Sequence, residues 1–447
     1  MKFLFRERVQ KGFPDEALLA ATQTKGVVRK KDYGTRTVTA SKDLHLLKLV
    51  ETGDFVISLR SFQGGIEIAH CRGIISPAYT VLEPRRETSQ SYYSRFFKSP
   101  DFINGLTLFV TGIREGQNID YERLSRAYMP LPPMKEQVSI GRFIDWSNGR
   151  LQRAIHAKRK VIALLNEQKQ AIIQRAITRG FVEHLPLNIL RLPKEVRTKS
   201  GWQSFSVRRL IQLGLLTIQD GNHGELHPKA SDYVDDGIPF LMANNVRPEG
   251  LDLTGCAKLR EDQARALRIG FAHSGDVLLT HKATIGQIGF VPKGLKTPFV
   301  MLTPQVTYYR TAGSKILGEY LFFYMQSPLF QEQLKILSLN QSTRPYVGLI
   351  EQKNLIVCFP SVDIQRQICA EILDSVAPVE AARSRVEREV DLLNEYRTRL
   401  VADVVTGQLD VSAAAALLPE EGPLEGELLY NADNLDEAEV VDEEVVA

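Results

Sequence analysis

The sequence predicts an α+β protein of mixed α/β character: two tandem globular domains separated by long helices that pair as an antiparallel coiled coil. Three observations carry that expectation. The chain repeats itself at a long period, each repeat mixes strand-like and helix-like runs, and each repeat ends in a ladder of apolar residues spaced for a coiled coil. At 447 residues the chain is also too long for one compact core.

LLNE occurs at Leu164–Glu167 and again at Leu392–Glu395, an offset of 228. The same offset superposes Ser99-Pro100 on Ser327-Pro328, Phe102 on Phe330, Leu106 on Leu334, Pro132 on Pro360, Gln137 on Gln365, Ile140 on Ile368, Ile144 on Ile372 and Thr178 on Thr406. Upstream, GDFVISLRSFQGGI (53–66) lies over GDVLLTHKATIGQI (275–288) at an offset of 222, as a loop insertion requires. Gly53/Gly275, Asp54/Asp276, Gly64/Gly286 and Ile66/Ile288 are identical there, and Arg60 faces Lys282.

The globular parts span 1–131 and 204–358. Strand-like runs (Phe55–Leu59, Tyr79–Leu82, Val277–Thr280, Val306–Tyr309) alternate with short helical stretches such as Ser91–Phe97 and Ile316–Met325, closely punctuated by Gly, Pro and Asn. Gly53-Asp54 and Gly275-Asp276 read as turns that launch a strand.

Helical regions follow at 132–180 and 359–407, each entered through a proline segment, with a linker at 181–203. Ile372, Val379, Val386, Leu393 and Leu400 form a seven-residue ladder, with Val376, Val390 and Val404 beside it. The first half offers Ile144, Leu151, Leu165 and Ile172, flanked by Ile155, Ile162 and Ala176. Two such columns are a coiled-coil seam. Lys158, Lys169, Arg383 and Arg397 also fall on the ladders, where their stems can lie along the seam with the charge in water. Asn148-Gly149 and Ala377-Pro378 are expected to break the two regions, leaving in each half a long helix of about 28 residues, about 40 Å in length.

Charge is distributed unevenly. Residues 419–447 hold eleven Asp and Glu and no Lys or Arg; set against the chain's net +3, they leave +14 on residues 1–418. That excess favours a polyanionic partner, and residues 408–447 read as an acidic, disordered tail. No run approaches the roughly 18 apolar residues of a membrane span, and MKFLFRERVQKGF does not have the form of a secretory signal. Cys71, Cys256, Cys358 and Cys369 have no metal-ligand spacing and suit reduced thiols in a cytoplasm.

With these features in place, the chain resembles the specificity subunits of type I restriction–modification systems, and over almost its whole length. The resemblance lies in two target recognition domains alternating with two similar helical regions. It extends to LPPMKEQVSIGRFID and FPSVDIQRQICAEILD at the helix entries and LLNEQKQAIIQRAITRG and LLNEYRTRLVADVVTGQL at the exits. GIISPAYTVLEP and DGIPFLMANNV, with the two aligned GD segments, resemble stretches of target recognition domains. The acidic tail departs from the pattern. The resemblance implies that each domain reads one half of a split double-stranded DNA target. The helical regions would set the spacing and dock two methyltransferase subunits, and two restriction/translocase subunits would join for cleavage. It also implies no cofactor on this chain: S-adenosylmethionine would belong to the methyltransferase subunits, ATP and Mg to the motor subunits.

The residues themselves offer no catalytic constellation and no metal site. The ProPro at Pro132-Pro133 lacks the preceding Asn or Asp and the following aromatic with which adenine methyltransferases hold a flipped base. No phosphate loop, GxGxxG turn or HExxH is present, and Gly224 and Pro228 argue against a metal-binding helix at His223/His227. A free-standing sequence-specific regulator, or a nuclease with an unrecognised site, remain open alternatives.

Base reading needs Arg, Lys, Asn, Gln or His on loops, with phosphate contacts supplying much of the affinity. In the first domain the candidates are Arg60, Ser61 and Gln63 after the strand, the basic stretch Arg29, Lys30, Lys31 and Arg36, and Arg114. In the second, the equivalent loop supplies His281, Lys282, Thr284 and Gln287. Asn222, His223, Asn244, Asn245, Arg247, Gln341, Ser342, Thr343 and Arg344 complete the surface. The matched Arg60 and Lys282 are expected on phosphate, Gln63 and Gln287 on base edges.

Overall fold

The computed structural model describes residues 1–23, 25–32, 43–111, 118–179, 201–224, 227–247, 250–282, 284–339 and 346–418. The chain divides into two compact units, one made of Met1–Lys160 with Val386–Ala447, the other of Val161–Arg385.

In the first unit, β1 (Phe5–Arg8), β2 (Phe55–Ile57), β3 (Glu67–Ile68) and β4 (Thr80–Pro84) form an antiparallel sheet in the order β1-β4-β2-β3. Gly53, at φ 89°, makes the left-handed turn that launches β2. Asp54 behind it is buried and accepts hydrogen bonds from the Glu51 amide (2.9 Å) and Arg8 Nε (2.8 Å). Burial pushes the Asp54 carboxyl up from its ordinary range, and Arg8 opposes that shift. Helices α1 (Gln90–Phe97) and α2 (Pro100–Leu106) are capped by the Ser89 and Ser99 hydroxyls, with Pro100 in the first turn of α2. Their aromatic side chains close over the sheet: the Phe5–Phe55, Phe5–Tyr93 and Phe55–Phe97 ring centroids lie 5.6, 5.2 and 5.0 Å apart.

The second unit repeats the plan. Strands β5 (Leu216–Asp220), β6 (Val277–Lys282), β7 (Thr284–Phe290) and β8 (Val306–Thr311) stand in the order β5-β8-β6-β7, again first, fourth, second, third. Gly275 has φ 90°, and Asp276 is buried against Arg310 and the His273 amide. The same carboxylate is thus satisfied in both halves by an arginine, although from different strands. Helices α3 (Gly318–Gln326) and α4 (Pro328–Leu339) match α1 and α2. The aligned glutamines perform one task twice. Gln137 accepts from the Ser89 amide and donates to Pro132 O, while Gln365 accepts from the Leu317 amide and donates to Pro360 O, each at 2.9 Å. This unit adds a second four-stranded sheet, of Ala257–Leu259, Tyr233–Leu241, Val300–Leu302 and Phe271–Ala272.

Two long helices, Met134–Thr178 and Val362–Val405, each contribute a segment to both units. In the first unit Ile140, Ile144 and Leu151 share a core with Leu400 and Val404; in the second, Ile173, Ala176 and Ile177 share one with Ile368, Ile372 and Val376. The pairing is antiparallel: Gln152 meets Arg397 and Lys158 meets Glu389 in the first unit, Lys169 meets Glu380 and Arg179 meets Glu371 in the second. Of the ladder residues, Ile144, Ile155, Ile372, Val379, Val390 and Leu400 are buried, whereas Leu151, Ile162, Leu165, Ile172, Val386 and Leu393 are half-buried. The ladder bases Lys158 and Lys169 pair with acids of the facing helix rather than with water alone, as their stems place the ammonium at its rim.

The expected helix breaks are not there. Both helices run unbroken through Asn148-Gly149 and Ala377-Pro378. Proline costs about 3 kcal/mol inside a helix and glycine about 1, but Ala377 and Pro378 face solvent, where water can satisfy the carbonyl that loses its N–H partner, and buried Val376 and Val379 anchor the helix on either side. The chain also stays folded beyond 408: Ser412–Ala416 is helical, Val411 and Ala415 are buried, and Arg142 donates to Leu418 O at 2.9 Å. The acidic residues from Glu420 on lie outside the described residues. Among the described residues no helix is long and apolar enough to cross a membrane.

Candidate nucleic-acid interface

The turn after β2 is built by residues that face inward. Ser61 is buried and its Oγ accepts from the Ser58 amide at 2.9 Å, so it shapes the one-turn helix Ser61–Gly64 instead of presenting a hydroxyl outside. Gly65 has φ 83°, and a Cβ there would come within 2.2 Å of the Phe97 carbonyl oxygen, so the turn lies directly on the end of α1. Gln63 is left exposed, and Arg60 is half-buried. Beside them lies the turn of the hairpin Leu19–Thr22/Gly26–Arg29, for Gln23 packs on Gly64 and Lys98 donates to both Gln23 O (2.9 Å) and Gly64 O (2.8 Å). Arg29, paired with Leu19, sits at the far end of that hairpin with exposed Lys31 and half-buried Lys30, whose ammonium pKa is lowered by burial. Arg36 and Arg114 lie outside the described residues.

The second unit corrects the expectation of an equivalent loop. His281–Lys282 ends β6 and Thr284–Gln287 begins β7, so the segment is a β-hairpin, with its tip residue Ala283 outside the described residues. Periodic β-branched and apolar residues on both sides (VLLT, TIGQIGF) zip the backbone where the first unit makes a helical turn. His281 is fully buried, 3.4 Å from Asp220; burial holds its imidazole below the ordinary histidine pKa, with Asp220 pulling the other way, which keeps the ring neutral at pH 7. Lys282 and Thr284 are exposed, and Lys282 bridges to Tyr346 through the backbone. Gln341, Ser342, Thr343 and Arg344 precede Tyr346 and lie outside the described residues.

Asp220 leaves β5 at this same end of the sheet, in register with Thr307, which also pairs with Leu279 of β6. Exposed His223 follows it, while Asn222 is buried with its amide on Leu302 O at 2.7 Å. Asn245 is likewise internal, its Oδ1 accepting from the Met242 amide at 2.9 Å. Asn244 and Arg247 are exposed, but Arg247 pairs with Asp252 at 3.0 Å, and their segment packs on β7 near Gly289, away from the hairpin tip. Gln287 is half-buried with its amide on Thr280 Oγ1.

The fold therefore brings together Lys282, Thr284 and Tyr346 at one sheet end of the second unit, and Gln23, Lys25 and Gln63 at paired turns of the first; exposed His223 follows Asn222, whose backbone amide is held on Leu302 O. The fold places Ser61, Asn222, Asn245 and His281 inside, as supports. Gln23 and Lys25 escaped the sequence reading, although the polar run before Gly26 (φ 72°) is a hairpin-turn signal. Lys98 carried no local signal, because its partners are distant in sequence.

No family model matches the chain. By sequence it is 20% identical over 324 residues to the EcoBI specificity subunit of a type I restriction enzyme from Escherichia coli, a match spanning 71% of this chain and 66% of that protein, just under two thirds of its length. It is 22% identical over 351 residues to the MjaVIII type I specificity subunit from Methanocaldococcus jannaschii, spanning 76% of this chain and 75% of that one. A chain from a solved structure of a type I restriction–modification system, determined to explain its assembly and conformational transition, shares the fold with a TM-score of 0.53 at 16% identity, over 91% of this chain and 98% of that one. The chain is thus similar, over most of its length, to type I restriction enzyme specificity subunits from a bacterium and an archaeon, and it shares the fold of a solved type I restriction–modification chain.

Proposed function

We propose that the chain is the DNA sequence-recognition subunit of a type I restriction–modification complex, without catalysis of its own, acting in a bacterial or archaeal cytoplasm. Residues 1–131 and 204–358 are its two target recognition domains, each binding one half of a bipartite target. The helical regions 132–180 and 359–407 set the distance between the halves and dock two methyltransferase subunits, and the linker 181–203 carries the chain back. S-adenosylmethionine belongs to those partners, ATP and Mg to two restriction/translocase subunits.

The observation that supports this reading most is the contrast between framework and tip. Both units keep the strand order, the buried Asp, the left-handed Gly and the clamping Gln, yet the turns they present differ, a helical turn with Gln63 in one and a hairpin with Lys282 and Thr284 in the other. A shared framework with unlike tips suits two readers of unlike sequences.

Replacing residues 1–131 with the corresponding domain of another family member is expected to change one half of the methylated target and leave the other intact, read by sequencing methylated adenines. Both halves changing together would refute separate readers. A second expectation concerns Lys282, exposed beside the hairpin tip. Lys282→Ala should weaken binding about equally for all duplexes and lower the log–log salt slope by about 0.9, one phosphate contact. Loss of discrimination at a single base pair with an unchanged slope would instead put Lys282 on a base edge.

A further inference from the structure

Two side chains grip the equivalent glycines of the two candidate reading tips. In the first unit Lys98, at the C-terminal end of α1, donates to Gly64 O at 2.8 Å and Gln23 O at 2.9 Å and also pairs with the buried Glu67 carboxylate. In the second, Gln331 of α4 donates to Gly286 O at 3.1 Å and Met325 O at 2.8 Å. Gly64 and Gly286 are the same position of the repeat, whereas Lys98 and Gln331 are not. Different residues have thus arrived at one contact, between the helix pair and the carbonyl beneath the tip.

An ammonium has three N–H donors and a primary amide two. Lys98 engages all three and Gln331 both, so neither has an N–H left for a phosphate or a base. Each tip is also pressed on its helix pair, since a Cβ on Gly65 would meet Phe97 O at 2.2 Å and one on Gly286 would meet Gln331 Oε1 at 2.7 Å. We infer that Lys98 and Gln331 are positioning residues for sequence reading, fixing the angle at which the Gln23/Gln63 turns and the Lys282–Thr284 hairpin meet DNA. The inference rests on the proposal that these tips read DNA. Base-edge hydrogen bonds are directional, so a tip that rocks loses discrimination before it loses general, phosphate-driven affinity.

The test selects duplexes from a randomised library with the full chain, assembled with its methyltransferase, and sequences them. Lys98→Met alone would take an ion-pair partner from the buried Glu67 carboxylate and could unfold the domain, so the decisive variant is Lys98→Met with Glu67→Gln, alongside Gln331→Leu and Lys98→Arg. The Lys98 double variant is expected to flatten base preference roughly tenfold or more in one half of the bipartite motif, and Gln331→Leu in the other half. Melting temperature and salt slope should stay near wild type, and Lys98→Arg should retain most of the preference. Sharp preferences in both halves for both variants would overturn the inference, as would loss in both halves together with a lowered melting temperature. A wild-type chain that selects no bipartite motif would instead refute the DNA-reading proposal itself, a result separable from the other two because it appears before any substitution is made.

Discussion

Ile372→Asp is expected to destabilise the second unit by about 4 kcal/mol or more, because it places a carboxylate without a partner on a dry helix seam. Ile372 is fully buried and shares its core with Ile173, Ile177, Ile368 and Val376 from both long helices. A domain's whole stability is about 5–15 kcal/mol, so such a loss removes much of it. Ile372→Val, which keeps the shape and deletes one methylene, should cost only about 1 kcal/mol. Leu393, on the same ladder, is half-buried, and an aspartate there keeps part of its hydration; its cost should fall clearly below that of Ile372→Asp. Urea unfolding of the three variants measures the order. Equal effects at positions 372 and 393 would mean that the ladder does not mark a dry seam.

The second large effect concerns the target. Adding seven residues to each long helix, between residues 160 and 161 and between 385 and 386, where the chain passes from one compact unit to the other, should lengthen the spacer of the recognised sequence by about three base pairs. Seven residues make close to two turns, so the seams stay in phase apart from a drift of about 20°, and they add roughly 10 Å, three steps at the DNA rise of about 3.4 Å. An insertion in one helix only should mismatch the Lys158–Glu389 and Lys169–Glu380 pairs and abolish activity. Sequencing the sites methylated by the double-insertion complex provides the measurement. An unchanged spacer in an active complex would show that the helices do not set the distance.

The repeat, the strands at Phe55, Val277 and Val306 and the helical regions were legible because each is written in local periodicity or in identity between halves. The Gly-Asp turns were legible for a related reason: a left-handed turn before a strand is a demand that few residues meet, and Gly53 and Gly275 meet it. Residue type alone said less about the tips. Ser61, Asn222, Asn245 and His281 are polar, loop-like and plausible on DNA, yet all four are buried: the Ser61 and Asn245 side chains accept backbone amides that fix turns, Asn222 is held through its backbone amide, and His281 lies close to Asp220. A cap and a ligand use the same residue types, and only the partner distinguishes them.

The sequence by itself determined that there would be two like halves, each with its apolar ladder and its Gly-Asp turn, since these depend on residues close together in the chain or compared position by position. The tertiary structure alone decided that the helices run through Gly149 and Pro378, because seam packing from residues more than 190 positions apart, such as Ile144 with Leu400 and Ile177 with Ile372, outweighs a local propensity penalty. It also decided that one aligned segment coils into a helical turn while the other zips into a hairpin, and that Lys98 faces inward. Those outcomes turn on contacts such as Lys98 with Gly64 and Lys282 with Tyr346, which the linear sequence separates and only the folded chain brings within hydrogen-bonding distance.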